Sequence, residues 1–524
     1  MTFRRRALIV AAAALLVAFP AAGASPADTA FLDFPHVDAV SAAKVPAFAW
    51  TIRQGARSSL YFARGPDFRR VMIASRTDDD GQPISDAAIS PDGTHIVSST
   101  GFPLGEKAFN PAALVKPPEA TLWLAATAGK HAPVRLGAGT DPSFSADGRL
   151  LLFNHEGDLW SVDTRAPTIK PRLFAKGGGD WSQLSWTKNG DLIFVADRRG
   201  YSFLGRFHPG APEVDWLITG VDRLAVPVIS PDDTTVAVLR LPGRKHSVTY
   251  DETEAEPFAI DLVDLRTGAS RTLWTTHDKA LTLGMDDDEG ALRWAGNDRI
   301  VFYSEEDGWG RLYAIAKSGG APRALTPTGC DVAESEAADK QLLVIHNCGD
   351  KDRRQLSLID PATGAERRVG EPDVVLAKGR SSGSFAAFVG AGVNQAPMLR
   401  IIDTRSGERR LAESYRDYGY ANPLTGPAPM EVHLTSLDGL AFTGQLFVPP
   451  TPGPHPGLIY VHGGPQRQMF PAFHYIDYYA NDYAIKRRLA EQGFAVLAIN
   501  YRSGIGYGRA FRDLPSRKHE RGEP

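Results

Sequence analysis

His462-Gly463-Gly464 directly follows the apolar run Leu458-Ile459-Tyr460-Val461. Such a run ending in a glycine pair reads as a buried strand leading into a tight loop. Glycines there let backbone N–H groups approach a developing negative charge, which is the chemistry of an oxyanion hole. His462 could donate a hydrogen bond to that charge, or serve only to position Gly463 and Gly464. Gly379-Arg380-Ser381-Ser382-Gly383 has the G-x-S-x-G spacing of a nucleophile elbow, but an elbow joins a buried strand to a helix. Here Phe385-Ala386-Ala387-Phe388-Val389 follows and reads as another strand, so Ser381 is assigned to a hairpin turn. Asp286-Asp287-Asp288-Glu289-Gly290 starts like a calcium loop but lacks the later glutamate, and reads as a solvated acidic loop. The glycines at 504, 506 and 508 do not have nucleotide-loop spacing, and no His-Glu-x-x-His pattern occurs. No metal, cofactor or catalytic residue is assigned.

These residues need elements to hold them. Residues 484–492 carry Ile485 and Leu489 four apart, with Asn481 as a cap and Gly493 as a stop, and read as a helix. Residues 494–499 are apolar without alternation, the pattern of a parallel strand covered on both faces. Strand, helix and strand make a βαβ unit. Upstream, from about 48 to 411, the chain repeats itself. Ser90-Pro91-Asp92-Gly93, Ser145-Ala146-Asp147-Gly148, Lys188-Asn189-Gly190, Ser230-Pro231-Asp232-Asp233 and Gly296-Asn297-Asp298 each precede a short apolar run. Asp-Gly and Asn-Gly supply the positive φ of a hairpin turn. Third strands often end in aspartate before Thr267-Gly268, Thr363-Gly364 or Ser406-Gly407. Four short strands recurring at roughly 40 to 65 residues predict a β-propeller of seven or eight blades. The spacing leaves an insertion at 245–257.

At the amino terminus, Arg4-Arg5-Arg6, an apolar run and Ala22-Gly23-Ala24 form a secretory signal peptide over 1–24. Export to the periplasm or the medium follows, with no membrane span left after cleavage. A net charge of −3 predicts no nucleic-acid partner. The two cysteines, Cys330 and Cys348, are expected to form a disulfide, since two strands meeting at Asp339-Lys340 place them opposite each other across a hairpin.

His462-Gly463-Gly464-Pro465, Leu489-Ala490 before Gly493, and Asn500-Tyr501-Arg502 leading to Gly506-Tyr507-Gly508 together resemble the prolyl oligopeptidase family of serine peptidases, which includes dipeptidyl and acylaminoacyl peptidases. Arg502-Ser503-Gly504 stands where members more often have Arg-Gly-Ser. The resemblance implies a propeller over 25–425, then an α/β-hydrolase domain beginning at 426, with His462, Gly463 and Gly464 in its oxyanion loop. It also implies hydrolysis of peptides or acyl-peptides through an acyl-enzyme, using serine, histidine and aspartate. Ser-Glu-x-Asp-Gly-Trp runs in dipeptidyl-peptidase propellers resemble 304–309, so Glu305 and Glu306 become candidates for binding a peptide's amino terminus. The same two residues also read as a solvated hairpin with Trp309 packed on its neighbour, and the paired-glutamate signature of dipeptidyl release is missing. Residues 514–524 are polar and basic, and no serine elbow with its later aspartate and histidine is found before Pro524. The expectation is therefore a truncated, inactive peptidase whose strand at 458–461 presents an open edge. A non-catalytic periplasmic propeller that binds peptide or protein, and an esterase on the same scaffold, are the rivals. Oligomeric state is not legible.

Overall fold

The computed structural model describes residues 30–513 except 78–81, 102–114, 116–119, 130, 178–179, 199–200, 244–255, 277–287, 371–374, 421–425 and 464–465. The expected signal peptide, the 245–257 insertion apart from Glu256 and Pro257, Asp286, Asp287 and the basic segment 514–524 lie outside the described residues.

Eight four-stranded antiparallel sheets follow one another along the chain, at 36–77, 84–138, 140–175, 180–218, 223–275, 292–324, 332–369 and 375–412. The turn chemistry is visible in several repeats. Ser90 Oγ donates to Asp92 Oδ1 at 2.7 Å, and Asp92 Oδ1 accepts the Thr94 N–H at 3.1 Å. Gly93, at φ +67°, closes the turn onto the Ser90 carbonyl. Ser145 with Asp147 and Ser230 with Asp232 repeat the serine–aspartate bond. At the far end of third strands, Asp264 and Asp360 each accept two backbone N–H groups of the next turn. Backbone polar groups are thereby satisfied within those turns.

Side chains alternate across a strand, so each sheet has two faces to bury. Ile300 and Phe302 pack toward the fifth sheet, while Val301 between them packs toward the seventh. The same division holds for Leu151 and Phe153 against Leu152. Every pair of successive sheets shares one apolar cluster in this way. The first sheet also packs on the eighth, through Val37, Phe48, Trp50 and Phe68 against Phe385, Ala387, Val389 and Leu399. Ser382 adds polar links there, accepting the Ala47 N–H at 3.2 Å and donating to the Ala43 carbonyl at 2.8 Å.

A ninth sheet is mixed. Its strands are β1 (Met430–Thr435), β2 (Ala441–Phe447), β3 (Gly457–Val461) and β4 (Ala495–Asn500), with helix α1 (Asp477–Glu491) between β3 and β4 and a short α2 (Arg509–Arg512) after them. The order is β1-β2-β4-β3, with β3 and β4 parallel. The βαβ reading therefore holds, with three corrections. The helix begins at Asp477 with Ile476 as its cap, and Asn481 lies inside it. Tyr479, Ala480, Tyr483 and Ala484 form a buried face that a search for aliphatic residues passes over. Nor is β3 a buried strand: Leu458, Ile459 and Val461 are 40%, 73% and 58% exposed, because β3 has a neighbour on one side only. β4 alternates buried and half-buried residues, so it is not fully covered on both faces.

Helix α1 fastens this sheet to the eighth one. Arg487 Nη1 donates to the Val393 carbonyl and Asn394 Oδ1, both at 2.7 Å, and its Nε to the Gly426 carbonyl at 2.9 Å. Tyr483, Phe473 and Phe447 pack with Ala391, Ala396 and Phe34.

Candidate active-site loop

The turn after β3 is held by aromatic side chains. His462 is 2% exposed and stacks on Tyr501 with ring centroids 4.6 Å apart. The Tyr501 hydroxyl donates to the His462 carbonyl, and the Tyr479 hydroxyl to the Gly463 carbonyl, each at 2.7 Å. A trans peptide sets C=O and the next N–H on opposite sides. The Gly463 N–H is therefore turned away from Tyr501, on a residue that is exposed. Burial lowers the His462 pKa, which favours the neutral ring. Its Nδ1 lies 3.2 Å from the Gly463 carbonyl, while its buried Nε2 has no hydrogen-bond partner among the described residues. The ring thus stacks on Tyr501 and turns its Nδ1 toward its own loop. Gly464 lies outside the described residues.

Asn500, at the end of β4 and fully buried, organises the segment after this turn. Its Oδ1 accepts the Met469 N–H at 2.7 Å, and its Nδ2 donates to the Met469 carbonyl at 2.9 Å and the Tyr507 hydroxyl at 2.8 Å. Gln445 on β2 also donates to the Met469 carbonyl, at 2.9 Å. Adjacent residues Asn500 and Tyr501 thus clamp two parts of one loop. Their place directly after an apolar run was the available sequence signal.

Glu305 and Glu306 part company. Glu305 is 3% exposed and paired through both oxygens with Arg512 of α2, with Nη2 at 3.0 Å from Oε2. Glu306 is exposed. Glu305 is therefore already matched by a cation from the ninth-sheet region. Trp309 lies under the Lys351 ammonium, 4.6 Å from its ring centroid, and against Gly508.

Ser381 lies within the first strand of the eighth sheet, Val375–Ser382, one residue before its end and not in the turn itself; it is bonded to the Ala337 carbonyl, and its N–H donates to Glu336 at 3.1 Å. No helix follows it, since the next strand is Phe385–Gly392. A serine–histidine–carboxylate cluster does exist elsewhere. His346 Nε2 lies 2.8 Å from Ser357 Oγ, and Ser357 Oγ donates to Glu366 Oε1 at 2.6 Å. Ser357 is fully buried and its hydroxyl proton goes to the carboxylate, while His346 Nδ1 accepts the Cys348 N–H at 3.1 Å. This cluster joins strands inside the seventh sheet and presents no nucleophile.

Asp350, Asp352 and Glu431 bring one carboxylate oxygen each within 4.8 Å of one another. Asp352 is taken up by Tyr507 and by Thr443, the latter at 2.8 Å, so the group reads as a docking contact. Cys330 and Cys348 are disulfide-bonded, as the hairpin arithmetic predicts.

No family model matches the chain, and no curated relative matches it. Solved structures do. A Mycobacterium tuberculosis puromycin-hydrolyzing peptidase aligns over 94% of this chain and 69% of its own, at 18% identity and a TM-score of 0.60. Porphyromonas gingivalis dipeptidyl peptidase 4 aligns over 93% and 74%, at 13% identity and a TM-score of 0.65. Pyrococcus horikoshii acylaminoacyl peptidase aligns over 92% and 67%, at 15% identity and a TM-score of 0.56. These neighbours are prolyl oligopeptidase family members, and at such identities the likeness is one of fold.

Proposed function

We propose that this chain is a prolyl oligopeptidase-type serine peptidase, comprising an eight-bladed propeller within 25–425 and the oxyanion side of an α/β-hydrolase domain from 426 onward. The observation that carries the reading is the turn after β3: its carbonyls are tied down by Tyr479 and Tyr501, and the glycine amide faces outward. Such preorganised N–H groups stabilise the oxyanion of acyl transfer at no reorganisation cost. The blade reading rests on eight successive sheets sharing apolar clusters, with the first packed on the eighth. Substrates would be peptides or acyl-peptides admitted past the propeller, in an exported protein whose signal peptide is 1–24. A buried disulfide agrees with export.

The chemistry also needs a nucleophile, and among the described residues no serine stands on a strand–turn–helix elbow with an exposed histidine beside it. A polypeptide of these 524 residues is therefore proposed to be inactive by itself. That observation equally favours the rival reading, a propeller that binds peptide without cleaving it. Incubation with peptide anilides and a fluorophosphonate probe tests the proposal. No turnover and no labelled serine is the expected result. Stoichiometric labelling, at Ser381 above all, would overturn it. Measurable peptide affinity without turnover would select the binding reading.

A further inference from the structure

The disulfide lies beyond the ladder it might be thought to staple. The last register pair of the hairpin in the seventh sheet is Val332 with His346. Cys330 and Cys348 are each two residues further out, with Cα atoms 4.8 Å apart. Between ladder and disulfide lie Asp331 and Asn347, which bond each other: the Asp331 N–H donates to Asn347 Oδ1 at 2.7 Å, and the Asn347 N–H to the Asp331 carbonyl at 3.1 Å.

Both of these residues reach the ninth-sheet region. Asp331 Oδ1 accepts the Gly310 N–H at 2.8 Å and its Oδ2 the Gly508 N–H at 3.0 Å, so one carboxylate bridges the sixth sheet and the glycine loop before α2. Asn347 Nδ2 donates to the Gly506 carbonyl at 2.7 Å and the Lys351 carbonyl at 3.2 Å. Gln468, from the loop after β3, donates to the same Lys351 carbonyl at 2.6 Å. The chain neighbour of each cysteine is thus a ligand of the loop 506–508. Fixing two short segments side by side is what a cross-link does best, because it removes their freedom to separate.

We propose that the Cys330–Cys348 disulfide is an interdomain clamp: it presets Asp331 and Asn347 to dock the loop 506–508, and reduction releases that loop while the eight sheets stay folded. In the reduction, the disulfide takes two electrons and two protons from a dithiol. The S–S bond becomes two thiols and the dithiol closes to its cyclic disulfide. The hairpin itself keeps its register, since the ladder from Val332 to Gln341 does not depend on the bond.

Amide hydrogen exchange, read by mass spectrometry on peptides spanning 504–512, tests this on the 524-residue chain. Dithiothreitol treatment should raise exchange there by about tenfold or more, with the strand Gln341–His346 still protected. Because both cysteines are nearly buried, a C330S/C348S variant provides the same measurement without a reductant. Asp331→Ala, with the disulfide intact, should raise exchange over 504–512 as well. Unchanged exchange over 504–512 in the reduced protein and the double variant would overturn the proposal. So would a rise spread evenly over all eight sheets, which would make the bond a global staple.

Discussion

Replacing Glu305 with glutamine isolates the buried pair that joins the sixth sheet to α2. The side chains of Arg512 and Glu305 are 5% and 4% exposed, and the pairing is bidentate. Desolvation limits what a buried pair contributes overall, but deleting one partner leaves the other charge stranded, at a cost of about 3–5 kcal/mol. Arg512 would keep Asp513, whose carboxylate lies 3.1 Å from Nε and is 36% exposed, so the lower end applies. About 3 kcal/mol corresponds to roughly a hundredfold weaker docking of α2. Nine separate sheets need not unfold together, so a single global unfolding energy is not the right measure. Exchange of amides 508–512, or fluorescence of the contact residue Trp309, reads docking directly. The double variant E305Q/R512M removes both charges and should recover most of the loss, so the two single losses are strongly non-additive. A loss below about 0.5 kcal/mol in E305Q, or additive losses in the double variant, would refute the buried-pair argument.

Acid should act on the seventh sheet. The Glu366 carboxyl falls from 4.5 to about 2, chiefly through its hydrogen bond with His346 and then through Ser357. A depressed folded value means stability that is present above about pH 4.5 and lost as pH falls toward about 2. Thermal transitions of the wild type and E366Q, taken from pH 6 to about 2.5, should therefore differ most at the upper end and converge in acid; a constant gap would contradict this. Gly508 has φ +83°, and an added Cβ would stand 3.1 Å from both the Gly308 carbonyl and the Trp309 ring. Gly508→Ala should loosen the loop by about 1–3 kcal/mol, seen as faster exchange over 506–512, with the eight antiparallel sheets unchanged.

The repeat was legible because its signals are local. Ser-x-Asp-Gly turns and period-2 strands repeat within a few residues, and Asp92, Asp147 and Asp232 each act on their own turn. The disulfide was legible too, as a matter of hairpin counting. Helix α1 was legible only in its second half, since its first turns bury Tyr479 and Tyr483, whose polar tips mask an apolar face. β3 was apolar in sequence yet is exposed, because burial depends on a neighbouring strand and composition does not report one. At the candidate site, the sequence located His462 and Gly463 and the chemistry they could do. That Tyr479 and Tyr501 hold their carbonyls is a matter of packing between elements 16 and 39 residues away. Glu305 marks the limit most plainly. An acidic hairpin reads the same whether water or a guanidinium covers it, and its partner stands 207 residues further along the chain. Turn geometry is set by neighbours in sequence; the pairing of a buried charge is decided only when distant elements exclude the water between them.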